Sequence, residues 1–197
     1  MKRVFDVVMS LALLLILSPV FLITAIAIWI ESGFRGPILY RSRRRGIWDT
    51  QFDMLKFRSM VVDADKIQDS LSHLNESDGQ LFKMKKDPRI TAVGRIIRRF
   101  SIDELPQLFN VIRGEMSLVG PRPLPIAQFD RNDVWQIVRL FIRPGITGLW
   151  QIRGRSETSF KKMLRLDLFY MQNQTVAMDM WILLKTIPAV MRGRGAW

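Results

Sequence analysis

Two adjacent carboxylates, Asp103 and Glu104, follow a pair of arginines in the run Arg98-Arg-Phe-Ser-Ile-Asp-Glu-Leu-Pro106. A carboxylate beside guanidinium groups can serve as a covalent nucleophile or hold a divalent cation, while the arginines take phosphate oxygens. The same residues also have a purely structural reading. Ser101 with Glu104 three residues later is a capping-box pattern, and acidic residues in a first turn suit the helix dipole. Pro106 complicates the cap. Counted from Ser101 it lies deep enough to lose a helical hydrogen bond; counted from Asp103 it lies harmlessly in the first turn. On either count Asp103 is expected at a helix N-terminus, which keeps a carboxylate ionised and receives phosphate.

Other segments carry weaker signals of the same kind. Met116-Ser-Leu-Val-Gly-Pro-Arg-Pro123 places Arg122 on a rigid, extended backbone suited to fixing a guanidinium against phosphate. A solvated arginine on a structural loop is the plainer account. Lys56-Phe-Arg-Ser-Met60 supplies Lys56 and Arg58, and Gly148-Leu-Trp-Gln-Ile-Arg-Gly-Arg155 supplies Arg155. Asp167, in Arg165-Leu-Asp-Leu, is equally readable as half of a helix salt bridge.

Composition narrows the chemistry. The 197 residues contain no cysteine and one histidine, His73, which removes disulfides, thiolate nucleophiles, zinc ribbons and histidine-rich metal sites. A metal would then rest on carboxylate and phosphate oxygens, which favours Mg²⁺, with Mn²⁺ as its substitute. The net charge of +12 with 48% hydrophobic residues describes a body that meets something anionic while inserting much apolar surface.

These residues need elements to position them. Residues 38–42 and 50–57 read as two short strands around an arginine-rich turn. Met60, Ala64, Ile67, Leu71 and Leu74 recur at helical spacing up to Gly79, and Ile90, Val93, Ile97 and Phe100 mark a shorter helix. A third helix is expected from Ser101 to near Gly114, followed by an extended stretch from Val119 to Pro125. Trp135, Val138 and Phe141 mark another helix, and Arg143-Pro-Gly-Ile-Thr-Gly148 reads as a turn. Helices over 160–170 and 181–190 complete the chain, the last interrupted at Pro188. The fold class expected is mostly α with a small β-hairpin and several interfacial amphipathic helices, whose basic and aromatic faces suit a membrane surface.

From Val7 to Ile30 there is no charged residue, a length that can cross a hydrocarbon core. A cleaved signal peptide and one straight spanning helix are the simpler readings. The run is long for a signal peptide and lacks a small-residue cleavage site. Ser18-Pro19 stands at its middle, where proline removes a backbone donor and breaks or kinks a helix. Lys2 and Arg3 precede the run and Arg35, Arg41, Arg43, Arg44 and Arg45 follow it, so both flanks prefer the cytoplasmic side. A re-entrant helix broken at Ser18 and Pro19 satisfies both. Residues 1–34 are therefore expected as the re-entrant segment and residues 35–197 as the catalytic domain of the same functional unit.

Taken in order, Lys56-Phe-Arg-Ser-Met, Asp103-Glu-Leu-Pro-Gln, Ser117-Leu-Val-Gly-Pro-Arg-Pro, Arg143-Pro-Gly-Ile-Thr-Gly-Leu-Trp-Gln and Arg165-Leu-Asp-Leu resemble the bacterial sugar transferases. These are monotopic phosphoglycosyl transferases that act on polyprenyl phosphate, and the resemblance covers essentially the whole chain, Ser18-Pro19 included. It implies that Asp103 is the nucleophile and a Mg²⁺ contact, that Glu104 assists, and that Lys56, Arg58, Arg98, Arg122, Arg155 and Asp167 belong to the substrate site. The implied reaction moves a sugar 1-phosphate, a hexose by the chain's ending, from a UDP-sugar to undecaprenyl phosphate. UMP leaves and an aspartyl sugar-phosphate intermediate forms. This would be the first membrane step of exopolysaccharide or O-antigen-type lipopolysaccharide assembly, at the cytoplasmic face of the bacterial inner membrane. The implied partners are the UDP-sugar, polyprenyl phosphate and the bilayer, with a second copy of the chain and downstream glycosyltransferases as further candidates. Many relatives with this ending carry more transmembrane helices and a soluble domain ahead of the region seen here. The chain is thus either a minimal form or the catalytic region of a longer protein.

The competing class is a non-catalytic, membrane-anchored basic binding or scaffold protein. Charge alone supports it. The sequence has no recognisable nucleic-acid module and no basic–aromatic platform of the kind strand binding needs, so nucleic acid is not an expected partner.

Overall fold

The apolar run breaks at Leu17, between α1 (Lys2–Ile16) and α2 (Ser18–Glu31), and the two helices are bent by 62°. The cause is local. Pro19 has no N–H to give the carbonyl of Leu15, and the Ser18 hydroxyl donates to that carbonyl instead at 2.8 Å. The computed structural model describes residues 2–68, 84, 87–154 and 158–193. Among these no single helix is long and apolar enough to cross a membrane, whereas the bent pair together has the length and composition.

α1 is two-faced. Phe5, Met9, Leu13 and Leu14 pack against the main core, while Val4, Val8, Leu11 and Leu15 form an exposed stripe at helical spacing. Its charged residues turn inward. Lys2 Nζ lies 2.5 Å from Asp179, and Arg3 donates to the carbonyls of Val111 and Ile112 at 2.5 and 2.8 Å. Asp6 is buried and accepts from the Ser117 hydroxyl at 2.8 Å. The sequence suggests Lys2 and Arg3 as membrane-flank charges; the structure engages both within the protein.

β1 (Leu39–Arg45) and β2 (Gln51–Phe57) form the expected antiparallel hairpin, with Leu39 opposite Phe57 and Arg45 opposite Gln51. Met60 pairs with Ile90 in an isolated bridge instead of opening a helix, and α3 (Ala64–Gln68) starts later. The expected continuation to Leu74 and Gly79 lies outside the described residues. α4 (Ala92–Arg99) is capped by Thr91, whose hydroxyl accepts from Gly94 N at 2.9 Å. A Cβ on Gly94 would sit 2.0 Å from the Ser59 carbonyl oxygen, so glycine is what lets α4 close on the strand exit.

Three expectations are corrected. The helix predicted from Ser101 is a 3₁₀ turn, Ile102–Glu104, followed by α5 (Gln107–Arg113). Ser101 is left-handed, with φ 54°, and its side chain caps nothing, so the capping box does not form. The turn predicted at 143–148 contains β4 (Gly145–Thr147), paired in parallel with β3 (Ser117–Val119). Proline and glycine there read locally as a turn, but a Cβ on Gly145 would fall 2.1 Å from Gly120 N, so the glycine serves close backbone approach. Among the described residues the fold therefore has two small sheets. Finally, the last helix runs through Pro188, an exposed residue whose ring sits on the open side.

α6 (Val134–Val138) continues into a 3₁₀ turn at Arg139–Phe141, and α7 (Leu149–Ile152), α8 (Phe160–Gln172) and α9 (Val176–Arg192) follow. The mostly helical class is as expected. The core joins every layer: Phe52 and Met54 from the hairpin, Leu108 and Val111 from α5, Leu118 and Val119 from β3, with Leu149, Tyr170 and Ile182. Met180, Leu184, Ile187 and Met191 leave an apolar stripe exposed on α9, as does α1 on its outer face.

Candidate active site

Short, rigid pieces of chain deliver the charged residues to one place. Lys56 comes from the end of β2, Arg98 from the last turn of α4, Asp103 and Glu104 from the 3₁₀ turn, and Arg122 from the Pro121-Arg-Pro123 stretch after β3. All five line a cavity of about 350 Å³. Its remaining walls come from Leu13 and Leu17 at the α1–α2 bend, Ile146 and Thr147 of β4, Trp150 and Gln151 of α7, and Leu183, Thr186 and Val190 of α9.

The two carboxylates have different surroundings. Glu104 receives Arg122 in a two-pronged pair, Nη1 to Oε2 at 3.0 Å and Nη2 to Oε1, and Lys56 Nζ donates to Oε1 at 3.0 Å. Burial disfavours its charge, but Arg122 and Lys56 outweigh burial and hold Glu104 well below the usual carboxylate range. Asp103 is 7% exposed and lies 3.7 Å from Lys56, with no arginine paired to it among the described residues. Burial, with Glu104's charge beside it, pushes Asp103 up despite Lys56. The expected helix N-terminus would have lowered its pKa; burial in the turn raises it instead. Neighbouring carboxylates driven apart in this way are suited to different roles.

Asp167 stands behind the cavity wall. It is 1% exposed and its Oδ2 lies 2.8 Å from Arg139 Nη2, which also donates to the Arg122 carbonyl oxygen at 2.6 Å. The pair holds the backbone that presents the Arg122 guanidinium. Burial pushes Asp167 up to about 6 against the pull of Arg139. Arg58 does not reach the cavity either: its Nη2 donates to the Arg35 carbonyl at 3.4 Å, beside the exit of α2. Arg155 lies outside the described residues.

Sequence reasoning missed Arg139, which carries no local signal because its role exists only across the fold. It also read Arg44 solely as a flank charge. Arg44 Nη1 donates to the Pro123 carbonyl at 3.3 Å, and burial, with Arg122 nearby, lowers its pKa to about 10. The wall residues of α1 and α9 were invisible for the same reason as Arg139. Among the described residues no three acidic or histidine side chains cluster as a metal cage. Asp103 is the cavity carboxylate whose oxygens no arginine occupies, and Mg²⁺ characteristically takes one or two carboxylates and fills its shell from phosphate and water. The residues present fit that ion bound jointly with a phosphorylated substrate.

Comparison with known proteins agrees across the whole chain. The family model described as bacterial sugar transferase matches residues 1–193. The exopolysaccharide production protein ExoY of Rhizobium meliloti is 40% identical over 200 residues, all of this chain and 88% of that protein. The undecaprenyl-phosphate galactose phosphotransferase of Salmonella typhimurium is 42% identical over 205 residues, covering all of this chain and 42% of the relative. The UDP-glucose:undecaprenyl-phosphate glucose-1-phosphate transferase of Caulobacter vibrioides is 38% identical over 205 residues, all of this chain and 72% of that protein.

The raised Asp167 pKa has a thermodynamic consequence of definite sign. Its proton is bound more tightly in the folded protein than in the unfolded chain. The stabilisation this gives is fully present below the unfolded carboxylate range, near pH 4, and is lost as pH rises through about 6. Over that window wild-type stability should therefore fall by about 2–3 kcal/mol relative to Asp167→Asn, as a shift of about two pKa units implies. Thermal melts of both proteins between pH 4 and 7 measure it, and parallel curves would place the Asp167 pKa elsewhere.

Proposed function

This chain belongs to the bacterial sugar transferase family, and from that premise we propose that it transfers a hexose 1-phosphate from a UDP-sugar to polyprenyl phosphate. The chain is an enzyme of sugar-1-phosphate transfer. The observation that carries the finer reading is the division of the carboxylate pair. Glu104 is occupied by Arg122 and Lys56, while among the described residues no arginine pairs with Asp103 beside it in the same cavity. A carboxylate that lines the cavity without such a partner is placed for chemistry rather than, like Asp167, for holding the fold.

In the proposed reaction an Asp103 carboxylate oxygen attacks the sugar-bearing phosphorus of the donor. The bond from that phosphorus to the bridging oxygen breaks, and UMP leaves with its electron pair. An oxygen of polyprenyl phosphate then attacks the same phosphorus, breaking the acyl phosphate bond and regenerating Asp103. Phosphoryl transfer of this kind depends on cations positioned around spreading charge rather than on acid–base groups. Arg98 and Lys56 face the cavity for that work, and Glu104 fixes Lys56 and Arg122 in orientation. Mg²⁺, or Mn²⁺, held by Asp103 and the donor's phosphates would neutralise charge on the departing nucleotide. Leu13, Leu17, Leu183 and Val190 give the cavity an apolar side that fits a lipid acceptor.

The bent α1–α2 pair is proposed as a re-entrant hairpin, with the catalytic domain on the cytoplasmic face of the bacterial inner membrane. Both of its ends are tied to the same body. Lys2 and Arg3 bond to α9 and α5 at one end, and at the other Glu31 accepts from Val93 N at 2.9 Å. A segment tied down at both ends to one body leaves the bilayer on the side where it entered. The positive flanks agree with this side being cytoplasmic.

Three outcomes follow from this reading. Asp103→Asn should fold, form no sugar-phosphate adduct and show no detectable turnover, while Glu104→Gln is severely impaired. Mass spectrometry after incubation with UDP-sugar alone should find one sugar phosphate on the peptide containing Asp103, and an active Asp103→Asn enzyme would sink the mechanism. Chelation by EDTA should abolish turnover and added Mg²⁺ should restore it; activity surviving thorough chelation removes the metal from the scheme. Single cysteines beside Met1 and after Gly33 should both label from the cytoplasmic side, and periplasmic labelling at Met1 would establish a span.

A further inference from the structure

The cavity lining combines charged and neutral polar side chains. Lys56, Arg98, Asp103, Glu104 and Arg122 are the charged group; α7 supplies Trp150 and Gln151. The α7 pair has unfinished hydrogen bonding. Trp150 Nε1 and Gln151 Oε1 are buried atoms with no hydrogen-bond partner among the described residues, and no other described side chain lining the cavity has such an atom. A buried polar group left in that state costs about 1–3 kcal/mol. The neighbouring threonines differ, because Thr147 and Thr186 bond to each other at 2.7 Å and Thr186 donates onward to the Ile182 carbonyl at 2.8 Å.

The polarity of this unpaired couple is fixed. Gln151 Nε2 donates to the Ile146 carbonyl at 2.7 Å, which only the amide nitrogen can do, so the end left over is the acceptor. An indole N–H can only donate. The couple is also held at a set distance from the charged group by backbone. Gly120 N donates to the Thr147 carbonyl at 2.9 Å and Gly145 N to the Pro121 carbonyl at 2.9 Å. A Cβ on Gly148, at the start of α7, would lie 2.5 Å from the Gly120 oxygen and 2.8 Å from Gln151 Oε1. α7 is thereby seated directly against the residues that carry Arg122.

We propose that Trp150 and Gln151 form the nucleobase subsite and read the imide edge of uracil. Gln151 Oε1 accepts from N3–H, and Trp150 Nε1 donates to a ring carbonyl oxygen. This rests on the reading of the donor as a uridine nucleotide. A phosphate belongs with the cationic side chains, and a polyprenyl tail has nothing to give or take. Sugar hydroxyls both donate and accept, so they do not select a fixed acceptor and a fixed donor. Cytosine has an acceptor at N3, which would oppose Gln151 Oε1. A site built from such groups rejects a mismatched ligand strongly, because its own buried atoms are then left unpaired.

The test uses the full chain in detergent or lipid nanodiscs, with UMP and CMP as probes by calorimetry or equilibrium dialysis. Wild type should prefer UMP over CMP by about tenfold or more. Trp150→Phe and Gln151→Met should each weaken UMP about tenfold, as loss of one such bond predicts, and Gln151→Met should hold CMP at least as well as wild type, because N3 then meets no opposing acceptor. Retained CMP binding by Gln151→Met and a wild-type thermal melt for Trp150→Phe show that each variant keeps its cavity. UMP binding equal to wild type in both folded variants overturns the subsite alone. So does altered discrimination among UDP-hexoses with UMP affinity intact, which would assign the pair to the sugar. A wild-type protein that binds neither nucleotide overturns this inference together with the uridine donor.

Discussion

Two adjacent carboxylates cannot both be buried and charged unless enough cations stand against them. Here, among the described residues, Arg122 and Lys56 are committed to Glu104, and Asp103 has Lys56 at 3.7 Å with Arg98 and Arg122 acting on it without a direct pair. The rest of the site follows from that shortage. Arg122 must be presented at a set angle to make its two-pronged contact, hence the proline on either side of it and the Arg139–Asp167 pair beneath its carbonyl. Lys56 must end a strand rather than wander on a loop, hence the hairpin register that stops at Phe57. Asp103 is then a carboxylate waiting for positive charge or a phosphorus centre, which agrees with the nucleophile proposed.

The apolar N-terminal segment belongs to this machinery rather than tethering it. Leu13 and Leu17 form cavity wall, and Asp6 on the same helix reaches the Ser117 hydroxyl at the base of the strand that leads to Arg122. The serine–proline break matters for geometry as well as for the proposed re-entry. Leu17 N still donates to the Leu13 carbonyl at 2.9 Å, and it is α2 that a straight continuation of α1 would carry away from α4, where Glu31 meets Val93. The exposed apolar stripes of α1 and α9 and the cavity share the same helices, so under the proposed function a lipid acceptor and a donor from water would meet without either being carried far.

The site was legible in the sequence to the extent that its residues are local. Asp103, Glu104, Lys56, Arg98 and Arg122 sit in short segments whose composition suggests phosphate chemistry, and the fold brings all five into one cavity. Asp167 is also in a suggestive segment, but its partner Arg139 is remote in sequence and gives no local signal. Arg58 shares a segment with Lys56, yet the strand end turns it toward Arg35. Two residues apart on such a chain need not serve one site.

What the sequence by itself determined is the set of properties that depend on near neighbours: the broken apolar run, the hairpin, most helices, and the grouping of phosphate-binding residue types. Periodicity and proline chemistry act over a few residues, so they can be read without a fold. The tertiary structure alone decided whatever depends on distant backbone. It turned a proline–glycine segment into a parallel strand against Gly120, kept α9 continuous through Pro188, and denied Ser101 its cap by holding it left-handed. It also decided which carboxylate's pKa is lowered and which is raised, because a shift in a buried site is set by burial and the few charges within several ångströms, and those charges come from four separate stretches of the chain.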